Sequence, residues 1–179
     1  FCVLFLLVVA VFCVEFDPTL TPFSEEIDIV FAMDTTGSMA VVVFNMRAAV
    51  GGMVSELVAR DIDFRLGATT FGDGVNIWDF DSLTDGFQLA DDWEAFQDKL
   101  YSTSSSGGGD GPEFQLDALY VSAFEYEWDS SRPRAIVMFT DAPYHIPGDG
   151  RGSEIDPDML HDVLVGTGIP VFIQHSSYL

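Results

Sequence analysis

The sequence predicts an α/β fold: a doubly wound, mostly parallel sheet flanked by helices. Three observations predict it. Short apolar, β-branched runs alternate with longer segments whose apolar residues recur at helical spacing. The strand runs are apolar at nearly every position, as strands covered on both faces must be. Two of them, Ile27 to Met33 and Ala135 to Thr140, stop at an aspartate, and open α/β sheets bind ligands beyond the carboxyl ends of their strands.

Taken in order, Ile27 to Met33 reads as a buried strand. From Ser38 to Arg60, Val42, Met46, Ala49, Val50, Met53 and Leu57 fall at helical spacing. Phe64 to Phe71 is a second strand. Gly72 to Leu89 is rich in Gly and Asp and has room for a short hairpin, Asn76 to Phe80 with Phe87 to Leu89. A helix is expected over Asp92 to Tyr101, then a Ser/Gly loop from Ser102 to Gly109 that is flexible unless something pins it. Glu113 to Tyr126 is helical, with Phe114, Leu116, Ala118, Leu119 and Phe124 as core candidates. The strand Ala135 to Thr140 leads to Asp141, a loop from Ala142 to Glu154, a helix over Asp156 to Val165 and a last strand, Ile169 to Gln174. The sequence stops just after that strand, so a closing C-terminal helix is expected to be missing.

The chain has 179 residues and is 48% hydrophobic, enough for one domain with a sizeable core and too apolar for a disordered segment. Its formal net charge is -22, with Lys99 the only lysine. Nucleic acid is a poor partner for such a chain, because neutralising phosphates takes Lys and Arg. Phe1 to Val14 is almost wholly apolar, shorter than the about 20 residues that span a bilayer. It fits the apolar core of a secretory signal or a truncated membrane anchor, which would tether the protein to a membrane. Glu15 to Ser24 is a Pro-containing linker, and the globular part runs from Glu25 to Leu179. Both cysteines, Cys2 and Cys13, precede it, so no disulfide framework holds the domain. A secreted or cell-surface location is expected.

The chemistry gathers at the strand ends. Asp34-Thr35-Thr36-Gly37-Ser38 offers one carboxylate and two hydroxyls at alternate positions, with no His or Cys beside them. Oxygen-only donor sets suit hard cations such as Mg2+. Asp141 ends a second strand, and Asp110-Gly111-Pro112-Glu113 follows the Gly-rich loop. Carboxylates gathered at one edge repel, and a divalent cation relieves that repulsion. Each piece also has a plainer reading. Ser38 suits a helix cap, Asp110 with Glu113 a capping box, Pro112 a first helical turn, and Asp141-Ala142-Pro143 an ordinary turn.

Together and in this order, these residues resemble a von Willebrand factor type A domain with its metal-ion-dependent adhesion site. Asp34, Thr36 and Ser38 match the family's Asp-x-Ser/Thr-x-Ser pattern, and Asp141 its later acidic position. Within the family the chain is most similar to the integrin β-subunit I-like domain, through Asp110-Gly111-Pro112-Glu113, Phe139-Thr140-Asp141-Ala142, His145-Ile146 and Asp149-Gly150-Arg151. The resemblance implies a Rossmann-like sheet and a Mg2+ or Mn2+ surrounded by Asp34, Thr36, Ser38, Glu113 and Asp141. It also implies a neighbouring Ca2+ near Asp73, Asp110 and the Pro112 carbonyl, although Asp73-Gly74 equally suits a turn. The chain departs from integrins in two places. Ala40 to Val43 stand where integrins carry the acidic residues of an adjacent regulatory metal site, and the disulfide-bearing specificity loop is absent.

The implied function is metal-dependent adhesion, in which the cation captures an Asp or Glu carboxylate of a partner protein. Tyr144 and His145 are the expected rim, and Trp78 joins Tyr144 as an aromatic candidate for the binding face. Two rival readings are a calcium-stabilised structural module and a Mg2+-dependent hydrolase. The hydrolase lacks support: no Gly-x-x-x-x-Gly-Lys loop is present, and Gly107-Gly108-Gly109 alone is a weak phosphate signal. No enzymatic role is expected. His145, His161 and His175 have no zinc-ligand spacing.

Overall fold

The computed structural model describes residues 26–78, 87–89, 93–109 and 111–175. The apolar segment Phe1 to Val14 and the linker Glu15 to Ser24 lie outside the described residues. The chain runs β1 (Glu26–Asp34), a 3-10 turn (Gly37–Met39), α1 (Ala40–Ala59), β2 (Asp63–Phe71), β3 (Val75–Ile77), β4 (Gln88–Leu89), α2 (Trp93–Ser102), α3 (Gln115–Phe124), β5 (Arg134–Thr140), α4 (Pro157–Thr167) and β6 (Val171–His175).

Six strands form one sheet in the order β3-β2-β1-β5-β6, with β4 also on β2. The β2-β1-β5-β6 ladder is parallel, while β3 and β4 run antiparallel to β2. The chain leaves β1 toward β2 on one side and returns to β5 on the other. The strand order therefore reverses between β1 and β5, the crevice where doubly wound sheets place their ligands. The register aligns the carboxyl ends there: Asp34 faces Phe71 of β2, and Met33 faces Phe139 of β5.

Alternation along β1 builds two cores. Ile27, Ile29, Phe31 and Met33 pack with Val43, Met46, Val50, Val54 and Leu57 of α1 and with Phe96 and Leu100 of α2. Val30 and Ala32 pack on the opposite face with Leu116, Leu119 and Ala123 of α3 and Leu160 of α4. Each fully buried Leu, Phe or Met side chain contributes about 1.5 to 3 kcal/mol to that packing. Asp156 caps α4 by accepting from the Met159 amide at 2.8 Å, and Gly168 ends it with a left-handed φ of 65°.

The structure differs from the sequence reading in four places. First, α1 buries the expected stripe, with Met46, Val50 and Leu57 in the core and Val42 and Met53 packed against it, but the stripe is wider than the spacing marked. The buried residues include Val43 and Val54, while Val41 and Phe44 are exposed. The turn and helix spanning Gly37–Ala59 are long and apolar enough to cross a membrane, but here α1 covers one sheet face. Second, β3 and β4 do not form a hairpin with each other. Both pair with β2, at its carboxyl and amino ends respectively, because β2 presents a long free edge that two short strands can share. Phe80 lies outside the described residues. Third, α3 begins at Gln115 rather than Glu113, because Glu113 bridges Tyr144 instead. Fourth, Phe124 is exposed and stacks on Tyr120 at 5.7 Å rather than entering the core, because α3 ends there.

At the amino end of the sheet, Asp28 is fully buried between two guanidiniums. Arg65 pairs with both of its oxygens, and Arg132 Nε lies 2.9 Å from Oδ1. Arg132 also reaches Glu26 and Asp63, at 3.5 and 3.0 Å.

Candidate metal centre

The loop after β1 is built by its own polar side chains. Thr35 donates to the Phe71 carbonyl from its amide at 2.8 Å and from Oγ1 at 3.1 Å, fastening the loop to the end of β2. Asp34 Oδ1 accepts from the Thr36 amide at 3.0 Å and from Thr36 Oγ1 at 2.7 Å. Asp34 Oδ2 accepts from Thr140 Oγ1, at the end of β5, at 2.9 Å. Ser38 Oγ donates to Asp141 Oδ1 at 3.0 Å and lies 3.2 Å from Thr36 Oγ1. Thr140, Asp34, Thr36, Ser38 and Asp141 thus form one continuous chain of oxygens across the crevice between β1 and β5.

A hydroxyl has one proton and two lone pairs. Thr36 gives its proton to Asp34, and the single proton of Ser38 is shared between the Asp141 carboxylate and Thr36 Oγ1. Both hydroxyls keep the lone-pair capacity that hard cations take from neutral oxygens.

Asp34 is fully buried, and among the described residues its carboxylate touches only neutral donors. Burial pushes its pKa up; the Thr36 hydroxyl and amide and the Thr140 hydroxyl oppose that rise, and the nearby Asp141 charge reinforces it. Among the described residues, no three His, Cys, Asp or Glu side chains converge as a metal-binding group. The donors here are mixed hydroxyls and carboxylates. They fit a small hard cation, which would supply the positive charge that Asp34 lacks.

Glu113 is buried beside this chain, 2% exposed. A Cβ added at Gly108 would lie 2.8 Å from Glu113 Oε1 and 2.9 Å from Thr36 Cβ, so the Gly108 backbone lies tightly against both side chains. The Ser/Gly loop is pinned, not loose. Ser106 N–H donates to Thr35 O at 2.8 Å, Gly37 N–H to Gly107 O at 3.2 Å, and Gly108 N–H to Asp73 Oδ2 at 3.3 Å. Gly107 and Gly108 adopt φ of 84° and 76°, which only glycine takes readily.

The remaining expected residues are distributed as follows. Asp73 is exposed, with its carboxylate on the glycine loop, and Pro112 is half-buried. Asp110 lies outside the described residues. Tyr144 is exposed at the rim, bridged to Glu113. His145 is buried instead, its ring 5.2 Å from Phe114 and its Nδ1 2.6 Å from Asp149 Oδ2, so it shapes the loop from within. The Arg151 amide, more than His145, holds Asp149 below the usual carboxylate range. Trp78 is buried against Phe96 at 5.5 Å, away from any binding face.

Two of the plainer readings fail. Neither Ser38 nor any other side chain caps α1, and α3 starts after Phe114 with no side-chain cap. Sequence reasoning missed Thr140 and Gln115. Thr140 carried a signal, a hydroxyl closing an otherwise apolar strand. Gln115 carried none, because a glutamine in a first helical turn ordinarily faces water.

At the level of sequence, no family model matches the chain, and no curated protein matches it. Solved structures do. One is described as von Willebrand factor type A from Catenulispora acidiphila, with a TM-score of 0.59, 14% identity, and coverage of 83% of this chain and 32% of that one. Another is the conserved hypothetical protein BatB from Bacteroides thetaiotaomicron, with a TM-score of 0.51, 14% identity, and coverage of 84% of this chain and 91% of that one. This chain thus spans about a third of the first structure's length. At this identity the likeness is one of fold, and the fold is von Willebrand factor type A-like.

Proposed function

We propose that this domain is a metal-dependent protein-binding module of the adhesion type, most similar to integrin β I-like domains. Its ligand is a partner protein presenting an Asp or Glu carboxylate, and its cofactor is Mg2+ or Mn2+. The observation that carries the reading is the run of oxygens from Asp34 through Thr36 and Ser38 to Asp141, linked at 2.7, 3.2 and 3.0 Å at the switch point of the sheet.

The bound cation would supply a Lewis-acidic point that accepts an anionic oxygen from outside. The chain's own residues do the rest. Asp34 and Asp141 orient the two hydroxyls, Glu113 adds negative charge from the second loop, and the Gly108 backbone closes the side of the site. Tyr144 offers a partner an exposed aromatic surface next to Glu113. Capture through a cation also lets a chain of net charge -22 hold an acidic side chain that its own field would otherwise repel. We extend the reading to a Ca2+ beside Asp73 and Pro112, and to a secreted or cell-surface location.

Calorimetric titration with Mg2+ tests the proposal. Saturable binding is expected for the wild type and should vanish in Asp34→Ala and Ser38→Ala. A wild type that takes up no Mg2+, Mn2+ or Ca2+ would overturn it. Metal uptake that raises the melting temperature while no acidic peptide ever binds would reduce the domain to a structural module.

A further inference from the structure

We infer that Gln115 is a positioning residue of the metal centre. It acts through Thr140, whose hydroxyl proton it directs onto Asp34. The inference rests on the metal-dependent reading above but is decided by separate observations.

Gln115 sits in the first turn of α3 and is buried, 5% exposed. Its Nε2 donates to the Ala142 carbonyl at 2.6 Å and to Thr140 Oγ1 at 2.7 Å. The carbonyl settles which end of the amide is which: it can only accept, so the atom facing it must be the NH2 group. That group's second N–H then points at Thr140, and Thr140 must accept it. The Ala142 amide donates to the same oxygen at 3.3 Å. Both lone pairs of Thr140 Oγ1 are thereby occupied. Its single proton has one place to go, Asp34 Oδ2, 2.9 Å away.

The consequence is geometric. Thr140 presents a donor to Asp34 Oδ2 and cannot turn to present a lone pair, while the two donors from Thr36 hold Oδ1. Gln115 makes no contact with Asp34 itself, yet through Thr140 it fixes how that carboxylate is held. Its side chain also ties the start of α3 to the end of β5, alongside the Glu113 amide bonded to Pro143 O at 2.8 Å and the His145 amide bonded to Glu113 O at 2.9 Å.

A double-mutant cycle on Mg2+ affinity, read beside melting temperature, tests this. Outer-shell partners of metal ligands typically affect affinity by about 10-fold to 100-fold. Gln115→Leu is expected to weaken Mg2+ binding about tenfold, Thr140→Val at least as much, and Thr140→Ser little. In the Thr140→Val background, Gln115→Leu should lower the melting temperature through its lost bond to Ala142 O and leave Mg2+ affinity unchanged. A further loss of affinity in that background, or no loss in Gln115→Leu alone, would overturn the inference. A metal-free arm separates this from the functional reading. In apo wild type, NMR should show a slowly exchanging Thr140 hydroxyl proton that disappears in Gln115→Leu. If the wild type binds no Mg2+, the functional reading fails and this proton still decides whether Gln115 sets the Thr140 hydroxyl. If it persists in Gln115→Leu, the inference fails.

Discussion

Asp28 and Asp34 are both fully buried on β1, one at each end of the strand, and they are compensated in opposite ways. Asp28 lies between the guanidiniums of Arg65 and Arg132. Asp34 is met, among the described residues, only by two threonine hydroxyls and an amide. A buried charge must be paired, neutralised by protonation or bound to a metal. The amino end of the sheet uses the first solution. At the carboxyl end, no guanidinium among the described residues pairs with Asp34, and the proposed cation would take that place.

This contrast predicts different responses to the same substitution. Asp28→Asn takes from Arg65 its buried carboxylate and from Arg132 one of three, and should cost about 3 kcal/mol, the scale for breaking a buried ion pair. Asp34→Asn removes a buried charge without an ion pair at the cost of one hydrogen bond, where its NH2 meets a donor, and should change metal-free stability by about 1 kcal/mol. Urea unfolding in excess chelator measures both. Equal losses would contradict the contrast.

Gly108 predicts a coupled loss. An Ala there needs φ near 76° and would press Cβ against Glu113 and Thr36. Gly108→Ala should cost about 1 to 3 kcal/mol of stability and also weaken Mg2+ binding. Gly111→Ala, where an added Cβ meets nothing within 4 Å, should do neither. Thermal melts with and without Mg2+ would show the difference. Equal behaviour of the two variants would mean that the glycine loop does not shape the site.

Tyr126 sets an alkaline limit. Burial pushes its hydroxyl up to about 12, against the hydrogen bonds with Thr69 and Ala68 O. Between the unfolded value of about 10 and that folded value, the folded chain keeps a proton that the unfolded chain has released, so stability falls as pH rises. The two-unit difference is worth about 2 to 3 kcal/mol. Tyr126→Phe should flatten the loss between pH 10 and 12 in denaturation series. An unchanged slope would contradict it.

The fold was legible because apolar, β-branched strands alternating with helical spacing leave few topologies. The edges were less so. The buried stripe of α1 was read from Val42 to Leu57, but Val43 and Val54 beside it were missed, because apolar residues such as Val41 and Phe44 also face outward and blur its edge. Gly- and Asp-rich segments do not say which strand they will join, and β3 and β4 chose β2. The oxygen chain from Asp34 to Asp141 was readable from strand ends. Its support was not: Gln115 reaches Thr140 and Ala142 across 25 and 27 residues of sequence, and nothing local marks such a contact.

The most direct test of the account is a Mn2+ titration followed by electron paramagnetic resonance, in wild type and Asp34→Ala. Bound Mn2+ leaves the sharp signal of the free ion, so occupancy is read without any partner protein. The account predicts a saturable site in the wild type, emptied by excess Mg2+ and absent from Asp34→Ala. Identical titrations of the two proteins would contradict it.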